Sequence, residues 1–235
     1  MNNIVFEEIP NNIKLIGSGA YGKCYCTKDN RVLKLFYDSV RNLYPNIERM
    51  SSIQSSYFEF PKELVFLKEI SESAFKGYFM NYIEGDYFDV INGNTDINKF
   101  IISLCKLENE IRRLTLKYRI KMYDLAYDNV LLTKDTEIKV IDTDLYTFSD
   151  CLSDEKLLLT NMSELCNLIS ENFIKVNERK FTISRLRSYA YDFYDGYINP
   201  SAYLFEIMEE IRKITREEVK DYNSFNEGVK LILNR

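Results

Sequence analysis

The spacing of apolar and polar positions changes character part-way along the chain. Up to Glu84 the apolar residues come in short runs, some alternating with polar ones, as half-buried strands require. Runs over 13–16, 23–27, 31–36, 63–67 and 77–83 are predicted strands, with the turn Lys28-Asp29-Asn30 between the second and third. One helix is expected over 45–55. Past Gly85 the period lengthens. Phe100, Ile101, Leu104, Leu107, Ile111 and Leu114 recur at helical spacing, predicting a helix over 97–118. Two short strands, 130–132 and 137–141, flank the turn Lys134-Asp135-Thr136, and a strand-like run lies at 120–123. From about Asp154 onward the pattern is helical. Thr215-Arg216-Glu217-Glu218 and Ser224-Phe225-Asn226-Glu227 read as capping boxes that open the last helices. The expectation is an α+β protein in two parts: a small strand-rich unit over residues 1–84 and a larger helical one over 85–235, interrupted by one hairpin.

Composition narrows the chemistry. The chain has 235 residues, 46% hydrophobic and 29% charged, ordinary for a globular protein and enough for one large domain or two lobes sharing a cleft. A net charge of −5 disfavours general affinity for nucleic acid or anionic lipid. No apolar run approaches the roughly 20 residues that span a bilayer, and the first residues lack the basic-then-apolar order of a secretory signal. Five cysteines without paired CxxC units suggest reduced thiols in a cytoplasmic protein. With no histidine, Ser/His and Cys/His catalysis and His-ligated metals are excluded. Proton transfer must use carboxylates, Lys, Tyr, Cys or water.

Three segments carry the candidate chemistry. Gly17-Ser18-Gly19-Ala20-Tyr21-Gly22 lies between two predicted strands, so its backbone N–H groups could cover phosphates without side chains intervening. The same spacing also marks plain hairpins and dinucleotide sites, but the β-rich run after Gly22 disfavours a dinucleotide site. Lys34, twelve residues after Gly22, either points to solvent or faces a cleft as a phosphate-binding cation with an acidic partner. Glu48 is the expected partner, with Glu59 and Glu63 as rivals. Asp124 and Asn129 precede the hairpin, and Asp142 ends its second strand. A hairpin of that length would bring Asn129 and Asp142 together as oxygen ligands for Mg²⁺, leaving Asp124 to orient an attacking hydroxyl. Asp144 could join the metal shell or face water, and water is the expectation because Mg²⁺ rarely recruits many carboxylates.

In this order and spacing the chain resembles the protein-kinase-like superfamily over about residues 14–146. Gly17, Gly19 and Gly22 match the glycine-rich loop, Lys34 the strand lysine, Asp124 the catalytic-loop aspartate, Asn129 the asparagine and Asp142 the magnesium aspartate. The resemblance implies a two-lobed fold, with a small antiparallel β-rich N-lobe and a reduced, mainly helical C-lobe. It also implies that Met80-Asn81-Tyr82-Ile83-Glu84-Gly85 joins the lobes, holding an adenine ring through the Asn81 carbonyl and the Ile83 N–H. The departures are Met122-Tyr123-Asp124 where protein kinases have His-Arg-Asp, Asp142-Thr143-Asp144 where they have Asp-Phe-Gly, and no Ala-Pro-Glu segment. In outline the chain is closer to small bacterial kinase-like proteins and aminoglycoside/choline-type phosphotransferases.

The resulting expectation is an ATP- and Mg²⁺-dependent enzyme that transfers the γ-phosphoryl group to a hydroxyl, most plausibly of a protein Ser/Thr. Alternatives are a small-molecule acceptor, a nucleotide-binding module without turnover, or nucleotidyl transfer. Neither nucleic acid nor membrane is an expected partner.

Overall fold

The structure is a computed structural model and describes residues 2–10, 13–37 and 43–234. It is α+β, with a mixed six-stranded sheet, two small sheets and six α-helices among the described residues. The chain divides into two compact units, Met1–Glu84 with Ile141–Leu145, and Gly85–Val140 with Tyr146–Arg235.

The first unit holds β1 (Asn2–Phe6), β2 (Lys14–Ser18), β3 (Gly22–Cys26), β4 (Arg31–Phe36), α1 (Tyr44–Met50), β5 (Glu63–Leu67) and β6 (Phe75–Asn81). Sheet order is β1-β5-β6-β4-β3-β2. The expected all-antiparallel sheet is mixed, because β1, which the pattern of the chain does not announce, pairs parallel with β5. Its Asn-Asn start carries little strand propensity, so pairing with β5 imposes its conformation. β4 is buried at Val32, Leu33, Lys34 and Leu35, hence on both faces. One face joins Leu33, Leu35, Val65 and Phe79 with Ile4, Phe6, Ile13 and Tyr25. α1 is shorter than the 45–55 expected. The Ser51 and Ser52 hydroxyls donate to the Glu48 and Arg49 carbonyls and close the helix there.

The second unit is built on α2 (Ile97–Tyr118), whose bounds are those the periodicity predicts. Asp96 caps it, accepting from the Asn98 and Lys99 N–H groups, and Arg119 ends it in the left-handed conformation. Its stripe of Phe100, Leu104, Leu107, Ile111 and Leu114 is fully buried, with Phe100 stacked 4.1 Å from Phe173. The remaining helices are α3 (Asp154–Ile169), α4 (Ser184–Tyr194), α5 (Pro200–Thr215) and α6 (Tyr222–Leu233). Two short sheets complete the unit. One joins β7 (Asp86–Tyr87), β9 (Val130–Leu132) and β10 (Ile138–Val140); the other pairs β8 (Ile120–Lys121) with β11 (Thr147–Phe148).

The two expected capping boxes are not where the sequence suggests. Thr215 is the last residue of α5, and Asp221 opens α6, accepting from the Ser224 N–H at 2.8 Å while Ser224 Oγ takes the Asp221 N–H. Ser224 is thus the returning arm of a box rather than its start. No helix among the described residues is long and apolar enough to cross a membrane.

At the start of α5 the cap comes from another helix. Asn199 makes no side-chain cap bond, and buried Glu108 of α2 accepts from Ser201 N–H at 2.6 Å and Ser201 Oγ at 2.7 Å. Burial raises the Glu108 pKa while the Ser201 bonds oppose the rise. Glu108→Ala should leave two buried donors unpaired and cost about 2 kcal/mol. The check is a lower urea midpoint at unchanged slope.

Candidate functional site

In the first unit a row of side chains crosses the sheet. Register places Cys24 of β3 opposite Lys34 of β4, Lys34 opposite Tyr78 of β6, and Tyr78 opposite Leu64 of β5. Alternation along each strand turns this row away from the face of Leu33 and Phe79. The ammonium of Lys34, only 4% exposed, meets the Ile141–Leu145 segment, which returns to this unit after the β9–β10 hairpin. Lys34 Nζ lies 2.5 Å from Asp142 Oδ1 and ion-pairs with Asp144 Oδ2. The Tyr78 hydroxyl donates to Asp144 Oδ1.

This corrects two expectations. The partner of Lys34 is not Glu48, which is exposed on α1 and accepts the Tyr44 hydroxyl at 2.7 Å. The rivals are also engaged elsewhere: Glu59 accepts the Asn81 N–H at 2.8 Å, and Glu63 pairs with Arg31 at 2.5 Å. Asp144 does not face water. It is buried, because a buried ammonium needs a carboxylate inside the fold with it.

The electrostatics follow from that burial. Desolvation alone would lower the Lys34 pKa, but the charges of Asp144 and Asp142 outweigh it and hold the ammonium above its ordinary value. Burial pushes Asp144 up to about 6 against the pull of Lys34, and the nearby Asp142 charge adds to the rise. Tyr78 is raised by burial, then by Asp144 and Asp142, so it remains a hydroxyl donor. Burial pushes the Cys24 thiol up to about 11 despite Lys34, which leaves it a neutral thiol and a poor nucleophile. One cation and two carboxylates leave this cluster with surplus negative charge. Asp142 Oδ2 has no partner among the described residues, and the Asp142 backbone is left-handed at φ 56°.

The glycine segment forms the β2–β3 hairpin, with a bulge between Leu15 and Gly17 and a Gly19 N–H to Gly22 carbonyl bond of 3.0 Å. Its glycines are not equivalent. A Cβ at Gly22 would sit 2.2 Å from the Leu35 carbonyl oxygen, so the sheet itself requires glycine there. A Cβ at Gly17 would meet nothing nearer than Cys24 Cβ at 3.9 Å, one at Gly19 nothing within 4 Å, and neither backbone is left-handed. Packing gives no reason for glycine at 17 and 19, where bare backbone is left exposed. Ser18 Oγ contacts the Tyr37 hydroxyl at 3.2 Å, and Ala20 and Tyr21 are exposed at the turn. Asn81 ends β6, and Ile83 lies just beyond it.

In the second unit Asp124 and Asn129 are held as a pair. Asn129 Nδ2 donates to the Asp124 carbonyl at 2.9 Å and to Asp124 Oδ2 at 3.1 Å. Both partners only accept, which fixes the amide orientation and turns Asn129 Oδ1 away. Asp124 is exposed and left-handed at φ 59°, a conformation that Asp tolerates better than most residues. The strand entering this turn is tied to α3 by Asn161, which is fully buried. Asn161 accepts the Met122 N–H at 2.9 Å and donates to the Ile120 carbonyl and Thr115 Oγ1, each at 2.8 Å. One turn along α3, Glu164 has its pKa raised by burial and then by the charge of Asp124, with Lys121 opposing.

Tyr78, Asp144, Asn161 and Glu164 were not singled out by the sequence reading as parts of a site. Asn161 had a usable signal: it falls between Leu157 and Leu165 on the apolar stripe of a helix, where a polar side chain needs buried partners. Among the described residues no group of three or more Cys, Asp or Glu side chains could hold a metal by itself. No protein-family model matches the chain, and no curated protein matches it.

The glycines give a clean contrast. Gly19→Ala should leave Tm within about 2 °C, whereas Gly22→Ala should lower it by roughly 6 °C or more, since each kcal/mol moves a unit of this size by about 4–8 °C. Thermal unfolding of the two variants beside the parent checks it.

Proposed function

We propose that this protein is an ATP- and Mg²⁺-dependent phosphotransferase with a two-lobed, kinase-like organisation, acting on a hydroxyl acceptor, with protein Ser/Thr as the class to test first. The observation that carries the reading is the contact between Lys34 and Asp142, residues 108 apart in sequence, at 2.5 Å. A buried lysine shared with a half-exposed carboxylate is an arrangement that packing alone does not call for. Three further features support it: the two glycines without a packing role, the free oxygen and surplus charge at Asp142, and the tethered Asp124–Asn129 pair.

In this reading the backbone of residues 17–22 covers the phosphates, and Lys34 holds the α/β-phosphates by charge. Magnesium, when bound, neutralises charge building on the transferred group. Within the first unit, Asp142 Oδ2 would be the oxygen to hold it. Asp124, one oxygen fixed by Asn129, uses the other to accept or orient the acceptor's proton. Asn81 and Ile83 would meet the adenine through their backbone. Glu48 has no role in this scheme.

The test is incubation with γ-labelled ATP and Mg²⁺, offering the protein itself, casein-like protein and hydroxyl-bearing amines as acceptors. Asp142→Asn, which suits the left-handed backbone, should abolish Mg²⁺-dependent transfer. Asp124→Asn should slow it by about 10²–10⁴-fold. Full activity in Asp142→Asn overturns the metal assignment. Label arriving from the α-phosphate would indicate nucleotidyl transfer, and nucleotide binding without transfer to any acceptor would make the protein a binding module.

A further inference from the structure

Two carboxylates reach Lys34, and their surroundings divide the work between them. The Asp142 side chain is 44% exposed and spends one oxygen on the ammonium, and Oδ2 has no partner among the described residues. The Asp144 side chain is 1% exposed and has no oxygen to spare: Oδ1 takes the Tyr78 hydroxyl, and Oδ2 faces Lys34. Tyr78 stands directly across from Lys34 in the β4–β6 ladder, so its hydroxyl is delivered by the sheet to the same face. Glu48, Glu59 and Glu63 are each engaged by other groups.

We propose that Asp144, fixed by Tyr78, is the positioning residue for Lys34, and that it does from within the Ile141–Leu145 segment what the sequence assigned to Glu48 on α1. Asp142 keeps Oδ1 on the ammonium and has Oδ2 left to serve the nucleotide's metal. Lys34 is then held by the sheet and by the segment carrying Asp142 itself, and displacement of α1 does not free it. The tether is a property of the first unit alone; its catalytic consequence rests on the nucleotide reading above.

The tether is measured first without nucleotide, as the rate at which acetic anhydride labels Lys34, read by mass spectrometry. Asp144→Asn should raise that rate about tenfold and Tyr78→Phe about threefold, by releasing local protection, while Glu48→Gln stays within about twofold. Faster labelling in Glu48→Gln with no change in the other two overturns the proposal. If Asp144→Asn fails to fold, Tyr78→Phe, which removes one hydroxyl, decides alone, and an unchanged rate overturns the tether. A second arm titrates a fluorescent ATP analogue with and without Mg²⁺. Asp144→Asn should weaken binding about tenfold in both conditions, and Asp142→Asn should remove only the gain that Mg²⁺ gives. Equal binding by Asp144→Asn and the parent overturns the proposed role. A parent protein that binds no analogue while the labelling pattern holds retires the nucleotide reading and leaves the tether standing.

Discussion

The first unit depends on keeping one ammonium ionised inside a sheet. Lys34 sits on a strand buried on both faces, where an unpaired charge would cost several kcal/mol. Its neighbours in the row, Cys24 and Tyr78, are neutral, so compensation cannot come from the sheet. It comes instead from five residues that return to this unit after 56 residues of the second one, Gly85–Val140. Asp144 supplies the buried charge, and Tyr78 supplies the hydrogen bond that makes a buried carboxylate tolerable. The left-handed turn at Asp142 and the exposure of its side chain follow once Asp144 has gone inward.

The second unit meets a similar demand by neutral means. Asn161 satisfies three backbone or hydroxyl groups around residues 115–122, and Asn129 ties down Asp124 five residues before it in the chain. Neither amide carries charge, so neither needs a counterion in the interior. Asp124 can then be left at the surface with a defined direction.

Much of this was legible in the sequence where a single element decides the outcome. The stripe of α2 and the strand β5 appear at the expected positions because periodicity and burial agree within one segment. Motif order singled out Lys34 and Asp142 but not their direct pairing, which joins residues 108 apart. What sequence could not supply were choices made by partners far along the chain. Glu48 lies at a reasonable distance in sequence from Lys34, but Tyr44, one turn away on the same helix, takes its carboxylate. Asp144 looked like a spare acid because nothing local shows Tyr78 waiting across the sheet. β1 is a strand only because β5 is beside it. Ser224 reads as a cap until Asp221, three residues earlier, is seen to accept its N–H.

The return of Ile141–Leu145 to the first unit also sets an order of events during synthesis. Lys34 leaves the ribosome 108 residues before Asp142, a delay of roughly 5–20 s at about 5–20 residues per second. Throughout that interval the strand carrying Lys34 has no internal counter-charge from this segment and every reason to keep its ammonium in water. The nascent sheet is therefore expected to wait, loosely assembled, until most of the second unit has been translated. A chain cut after Glu84 would hold, among the described residues, the strands β1–β6 and the helix α1, yet never receive the acids its interior requires.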